Sequence, residues 1–69
     1  MNDRLIVQRR VSADGGAKRV TMLECPITGD IILRFGESYT LRAKAGEMAA
    51  LLLELSVNAA ATAGSVHVD

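Results

Sequence analysis

Few side chains in this sequence could carry out chemistry, and their spacing does not favour it. Cys25 is the single cysteine and His67 the single histidine among the 69 residues. Two such residues cannot supply the four ligands of a structural zinc site, and nothing in the sequence around Cys25 indicates a base that would activate its thiol. We therefore expect no metal and no cofactor, and we expect Cys25 to be a small, partly buried strand residue.

Two further pairs of residues have spacings that occur in functional motifs. Glu47 and Glu54 are seven residues apart and would share one face of a helix, where a surface pair is a simpler interpretation than a general acid and base. Gly15 and Gly16 follow an aspartate between two strand-like segments, and they are not part of a phosphate-binding glycine-rich loop. The sequence therefore predicts that the chain is not an enzyme.

The charged residues are unevenly distributed along the chain. All eight basic residues precede Gly46 together with five of the eight acids, so this part carries a net charge of +3 and the remainder −3. Several of the basic residues are expected on the outward face of a sheet, where they could bind nucleic-acid phosphates or an acidic protein, or only guard against aggregation. The basic face, as we name this predicted partner-binding set, comprises Arg4, Arg10, Arg19, Arg34, Arg42 and Lys44.

Four segments rich in β-branched and aliphatic residues predict strands over residues 5–11, 18–25, 31–35 and 39–44. Asp14 and Gly15 predict a type I′ hairpin turn, in which both central residues have positive φ. The resulting register pairs Val11 with Lys18, Arg9 with Val20, Val7 with Met22 and Leu5 with Glu24. It places five apolar residues on one side, the expected core face: Leu5, Val7, Val11, Val20 and Met22.

The second hairpin requires a loop with an odd number of residues. A two-residue loop would place Leu33 beside Thr40, which mixes the two faces of the sheet. A three-residue loop over residues 36–38 pairs Phe35 with Tyr39 and Leu33 with Leu41, so we predict a three-residue or bulged turn. Pro26, which has no backbone N–H, is expected to end the second strand.

From Ala45 onward the apolar residues follow a helical period. One stripe consists of Met48, Leu51, Leu52, Leu55 and Ala59. A second stripe on another side, here named the helix face, consists of Ala49, Leu53, Val57 and Ala60. One sheet face cannot cover both stripes, so we expect the helix face to contact a second copy of the chain or another protein. For residues 62–69 the sequence allows two alternatives, a flexible tail or a short extra strand.

These elements predict one α+β domain over residues 1–69. It consists of a small four-stranded, mostly antiparallel sheet of two β-hairpins, followed by one C-terminal α-helix packed on one face. A domain this short buries only about 60% of the surface of its unfolded chain, and a single cysteine excludes an internal disulfide, so we expect a homodimer. The lone cysteine and an opening unlike a signal peptide indicate the cytoplasm, and no segment approaches the roughly 20 apolar residues of a membrane span.

The opening strand, Leu5-Ile6-Val7-Gln8-Arg9-Arg10-Val11, looks like that of the carbon storage regulator proteins. Later strands of that family can be aligned with Val20, Thr21 and Leu23, and also with the spacing from Ile31 to Leu41 and on to Glu47. The resemblance implies an interlocked dimer that binds RNA through Arg9 or Arg10 and through Arg42 and Lys44. The Asp14-Gly15 hairpin, Pro26 and the strongly apolar helix depart from the family's pattern.

A small domain without chemistry acts by binding. The leading prediction is a non-catalytic protein-binding module, such as a small phage- or mobile-element-type inhibitor or accessory protein that occludes or bridges a larger protein. The alternative is a small dimeric β-sheet protein that binds nucleic acid through the basic face. Phe35 and Tyr39 are the only aromatic residues, and both fall on the core face in the predicted register, which leaves no platform for stacking bases.

Overall fold

A computed structural model describes residues 2–66 of the chain. It contains β1 (Arg4–Ala13), β2 (Gly16–Glu24), β3 (Ile31–Phe35), β4 (Tyr39–Ala43) and α1 (Ala45–Val66). The strands form one open sheet in the order β1-β2-β3-β4, and each neighbouring pair is antiparallel. This arrangement confirms the predicted α+β layout of four strands followed by one helix.

The first hairpin has the predicted loop length but a different turn. Val11 pairs with Lys18, as expected, and Ala13 pairs with Gly16, so Asp14 and Gly15 form a two-residue loop. Gly15 has a φ of 83°, whereas no residue other than glycine has a positive φ in the part of the chain that the structure describes. A type I′ turn needs positive φ at both central residues and a type II turn only at the second. The type I′ prediction is therefore wrong, and of the two loop residues only Gly15 adopts the left-handed conformation.

A bulge at Ile6 changes the register near the start of β1. Arg9 and Val7 pair with Val20 and Met22 as predicted, but Leu5 pairs with Leu23 instead of Glu24. A shift of one residue moves a side chain to the other face of a sheet. The prediction that Leu5 belongs to the core face is therefore wrong.

The second hairpin matches its prediction. Phe35 pairs with Tyr39 and Leu33 with Leu41, which leaves residues 36–38 as the three-residue loop. Between the hairpins, β2 ends at Glu24, and Pro26 lies in a connecting loop over residues 25–30. This loop is closed by two backbone hydrogen bonds, from the Cys25 N–H to the Asp30 carbonyl at 2.9 Å and from the Gly29 N–H to the Cys25 carbonyl at 2.8 Å.

The hydrophobic core is small and lies near the middle of the sheet. Ile32 and Leu33 are 4% and 6% exposed, and Met48 of α1 is 1% exposed. Consecutive strand residues point to opposite faces, so both faces of β3 are covered at this point. Thr21 is the one polar residue that is buried beside them among the described residues.

The helix packs on the rest of the chain only through its first two turns. Met48 is buried and Leu52 is half-buried, whereas Leu55, on the stripe expected to pack, is 54% exposed. The helix has 22 residues and is about 33 Å long, and every residue from Leu53 to Gly64 is exposed. The expected packing of the helix on one sheet face is thus limited to its start.

Part of residues 62–69, for which the sequence allowed a tail or a short strand, lies in α1. Residues 62–66 belong to the helix, and residues 67–69, which include His67, lie outside the described part of the chain. Within the described residues, no helix has both the length and the apolar content that crossing a membrane requires.

Candidate functional site

The second half of α1 presents an uncovered apolar surface. Leu53 and Val57 of the helix face are 66% and 59% exposed, and Leu55 on the neighbouring stripe is 54% exposed. Leu53 and Leu55 are two positions apart and so point to different sides of the helix. The helix is therefore apolar and exposed on two sides, and no described residue of the sheet covers either side beyond Leu52.

The spacing around the helix face fits helix-to-helix packing. Six residues alternate at steps of four and three along one line of α1: Gly46, Ala50, Leu53, Val57, Ala60 and Gly64. This is the heptad spacing of a seam between two helices, and small residues in such a seam allow the two backbones to approach closely. A Cβ built on Gly46 or Gly64 would meet no atom within 4 Å, so the chain's own packing does not require glycine there.

A polar strip lies on the remaining side of α1 and satisfies its own hydrogen bonds. The Asn58 amide donates to the Glu54 backbone carbonyl at 2.8 Å, and the Thr62 hydroxyl donates to the Asn58 backbone carbonyl at 2.9 Å. These bonds stay within the helix, so the two side chains need no hydrogen-bond partner from another molecule. The polar strip is therefore the solvent side of α1, and the helix face is the side left for a contact.

The structure brings three of the six predicted basic-face residues together. Arg10 pairs directly with Arg19, as expected, and Arg34 pairs with Thr21, which alternation places on the same face as Arg19. These three side chains, here named the arginine cluster, are exposed, and none bonds to another side chain of the described residues. Arg10, Lys18, Arg19, Glu37 and Ser38 line an open cleft of about 620 Å³ at this end of the sheet.

The other three predicted basic-face residues are already paired with carboxylates. Arg4 forms an ion pair with Glu24, since the bulge places the two residues opposite each other. Arg42 Nε lies 3.0 Å from Asp30 Oδ2, and Lys44 Nζ lies 3.0 Å from Asp30 Oδ1. Lys44 and Arg42 together hold the pKa of Asp30 below its usual range. The prediction that all six residues share one sheet face is wrong for Arg4, which the bulge moves to the other face. On the predicted face, the positive charge without a carboxylate partner is concentrated in the arginine cluster.

Loop 25–30 also creates an unusual environment for the Cys25 thiol. The Thr28 side chain, the backbone N–H groups of Thr28 and Ile27, and the Arg42 guanidinium lower the pKa of Cys25 from 9.0 to about 7. The thiol is thus far more ionised at neutral pH than an ordinary cysteine. Sequence reasoning missed this feature, although a threonine three residues after a cysteine in a turn was a signal for it.

An apolar groove of about 650 Å³ lies on the opposite face of the sheet from the arginine cluster. Val11, Val20, Phe35 and Tyr39 line it, and the two aromatic rings pack edge-to-face with centroids 6.1 Å apart. The register confirms that both aromatic residues lie on the predicted core face. They are nevertheless 40% and 65% exposed, because this end of the face is uncovered.

Metal chemistry finds no support in the part of the chain that is described. No group of three or more histidine, cysteine, aspartate or glutamate side chains lies close enough together there to hold a metal ion.

Comparisons with known proteins add no functional information. No family model matches the chain, and no match is found among the curated proteins or the solved structures. The likeness of β1 to the opening strand of the carbon storage regulators is not accompanied by a family match.

Proposed function

We propose that the chain is a non-catalytic protein-binding module that forms a homodimer through its helix face and occludes or bridges a larger protein. The observation that carries this proposal is the uncovered apolar surface of α1, where Leu53 is 66% exposed and Val57 is 59% exposed. Large contiguous apolar patches on a protein surface mark interaction sites more often than isolated exposed residues do.

The total accessible surface area of the chain supports the proposed contact with a second molecule. The chain exposes 5516 Å², whereas a compact protein of 7.3 kDa exposes about 4,200 Å². The excess of roughly 1,300 Å² is larger than the roughly 800 Å² per partner that a stable protein interface buries. The radius of gyration agrees, since it is 14.3 Å against about 11 Å for a compact chain of 69 residues.

A second copy of the chain fits the helix face well. The heptad spacing lets two helices interdigitate along the seam around Leu53 and Val57, and a twofold axis would bring the same residues together from both copies. Complete burial of a leucine or valine contributes about 1.5–3 kcal/mol, and four such side chains would be buried in the dimer. A cytoplasmic location is part of the proposal, because a single free cysteine fits a reducing compartment.

The variant pair Leu53→Asp/Val57→Asp tests the role of the helix face. Light scattering after gel filtration should give a dimer for the parent chain and a monomer for this variant. The matched control Glu54→Gln/Asn58→Asp changes two residues of the polar strip and should remain dimeric. Dimers from both variants would contradict the assignment of the helix face.

A second candidate function is nucleic-acid binding by the dimer, and the arginine cluster is the observation that favours it. Three exposed arginines on one sheet face can neutralise phosphates, and such binding weakens steeply with salt. Affinity capture from nuclease-treated and untreated host lysate, followed by mass spectrometry, separates the two candidates. A protein partner that survives nuclease treatment supports the leading proposal, and recovery that depends on intact RNA or DNA supports the second.

A further inference from the structure

The outer edge of β1 has no partner in the sheet. β1 is an edge strand, and all ten of its residues are exposed. On such a strand the backbone N–H and C=O groups of alternate residues point away from the sheet, where another strand can pair with them. Apart from the bulge at Ile6, the strand is regular, so residues 7–13 offer a straight pairing edge. The opposite edge, β4, has only five residues and leads directly into α1.

The side chains along this edge are different on the two faces. Val7, Arg9 and Val11 lie on the face of the apolar groove, where the two valines are 51% and 43% exposed and Val11 lines the groove. Gln8 and Arg10 lie on the other face, where Arg10 lines the cleft together with Lys18, Arg19 and Glu37. A strand added here would therefore have one row of side chains beside Val7, Arg9 and Val11 and the other row beside Gln8 and Arg10.

Charge decides which strand could occupy the edge. β1 contains Arg4, Arg9 and Arg10 and no acidic residue, and Lys18 and Arg19 follow on β2. Pairing with β1 of a second copy would place Arg9 and Arg10 of both copies on adjacent strands, and like charges across a strand pair are unfavourable. An extended strand that carries carboxylates would meet these same arginines with complementary charge.

We propose that the edge of β1 binds an extended acidic segment of a protein partner, in which apolar and acidic residues alternate, as a fifth strand of the sheet. Main-chain hydrogen bonds along residues 7–13 supply affinity, the acidic row lies against Arg10 and Arg19, and the other row lies beside Val7, Arg9 and Val11. This inference rests on the proposed protein-binding function and names the chemistry of the partner.

A fluorescein-labelled decapeptide of five Val-Glu repeats tests this binding mode by fluorescence anisotropy. Saturable binding is expected, and a Val-Lys decapeptide should not bind. Methylation of alternate backbone nitrogens of the Val-Glu peptide keeps the side chains and removes the donors, so affinity should fall by more than about tenfold. An equal affinity of the methylated peptide would overturn the strand-addition mode, and absence of saturable binding would overturn the proposal as a whole.

Two variants with the same loss of two units of net charge separate this inference from the dimer. Arg10→Gln/Arg19→Gln should weaken the Val-Glu peptide by about tenfold, because two exposed charge pairs are lost. Leu53→Asp/Val57→Asp should leave the affinity within about twofold, since the helix face is not part of the edge. Equal effects of the two variants would overturn the inference. The proposed dimer is tested independently, by the molar mass of the parent chain in solution.

Hydrogen exchange locates the bound peptide. Slower exchange of alternate amides within residues 7–13, with β4 unchanged, is the expected result. Protection confined to β4 or α1 would overturn the assignment to β1. An oligothymidylate of equal charge that binds more tightly and competes with the peptide would overturn it in favour of nucleic acid.

Discussion

The corner where loop 25–30 meets β4 and the start of α1 differs sharply from the outer edge of β1 and the second half of α1. At the corner, Asp30 bonds to Arg42 and Lys44, and Met48 is buried. In the outer regions every residue of β1 is exposed, and Leu53 is 66% exposed. The chain's buried side chains are thus concentrated in one part of the molecule, while much of its apolar surface lies elsewhere.

This difference indicates how stability and binding are divided. A fold of this size has little stability to lose, so the residues that are buried or ion-paired at the corner and in the core beside it should control whether it folds. Residues in the outer regions should affect association much more than folding. Four substitutions test the folding side of that division, beginning with the one expected to change stability most.

Leu33→Ala should destabilise the fold by about 2–5 kcal/mol, because it removes a buried side chain and leaves a cavity. For so small a domain that loss is comparable with the total stability, so much of the variant should be unfolded at 25 °C. Urea unfolding followed by circular dichroism measures the change. An ordinary unfolding curve close to that of the parent would show that the core lies elsewhere.

Asp30→Asn should have a smaller effect that depends on pH. In the folded chain Lys44 and Arg42 lower the pKa of Asp30 below 3.8, so its contribution to stability is present above pH 3.8 and is lost as the pH falls through the lowered pKa. The parent chain should therefore lose its advantage over the variant in acid. Thermal unfolding of both proteins between neutral and acidic pH measures this, and a constant difference would contradict the ion-pair account.

Gly15→Ala should cost about 1 kcal/mol, because its φ of 83° strains any residue with a Cβ while no atom lies within 4 Å to clash with it. Gly64→Ala is the matched control at a dilution at which the proposed dimer dissociates, since Gly64 lies in α1, where alanine is favoured by up to about 1 kcal/mol. The two variants should thus shift the unfolding midpoint in opposite directions. Shifts of the same sign would show that one of the two backbone assignments is wrong.

Thr28→Val should leave folding almost unchanged and alter the ionisation of Cys25. The Thr28 side chain is the largest cause of the lowered pKa, so the pH at which alkylation reaches half its maximal rate should rise from about 7 toward 9.0. Iodoacetamide labelling rates across this pH range measure the shift. The control Ile27→Ser changes the neighbouring exposed side chain and keeps the backbone donor, and an equal shift for that variant would contradict the role of Thr28.

Alternation along the strands and the helical period made much of this architecture predictable from the sequence. They placed Arg10 opposite Arg19, required the odd loop before Tyr39, and identified a helix with two apolar stripes. They did not reveal the bulge at Ile6, because a bulge leaves the composition of a strand unchanged while it moves Arg4 and Leu5 to other faces. The pairing of Asp30 with Arg42 and Lys44 was also missed, because it depends on how loop 25–30 folds back toward β4.

The central claim is that the uncovered surface of α1 is covered by a second copy of the chain. The most direct test is the molar mass of the unmodified protein by sedimentation equilibrium over a dilution series. A mass of twice the 7.3 kDa chain, with reversible dissociation at low concentration, is the result that the proposal predicts. A single species of the chain's own mass at every concentration would contradict the claim.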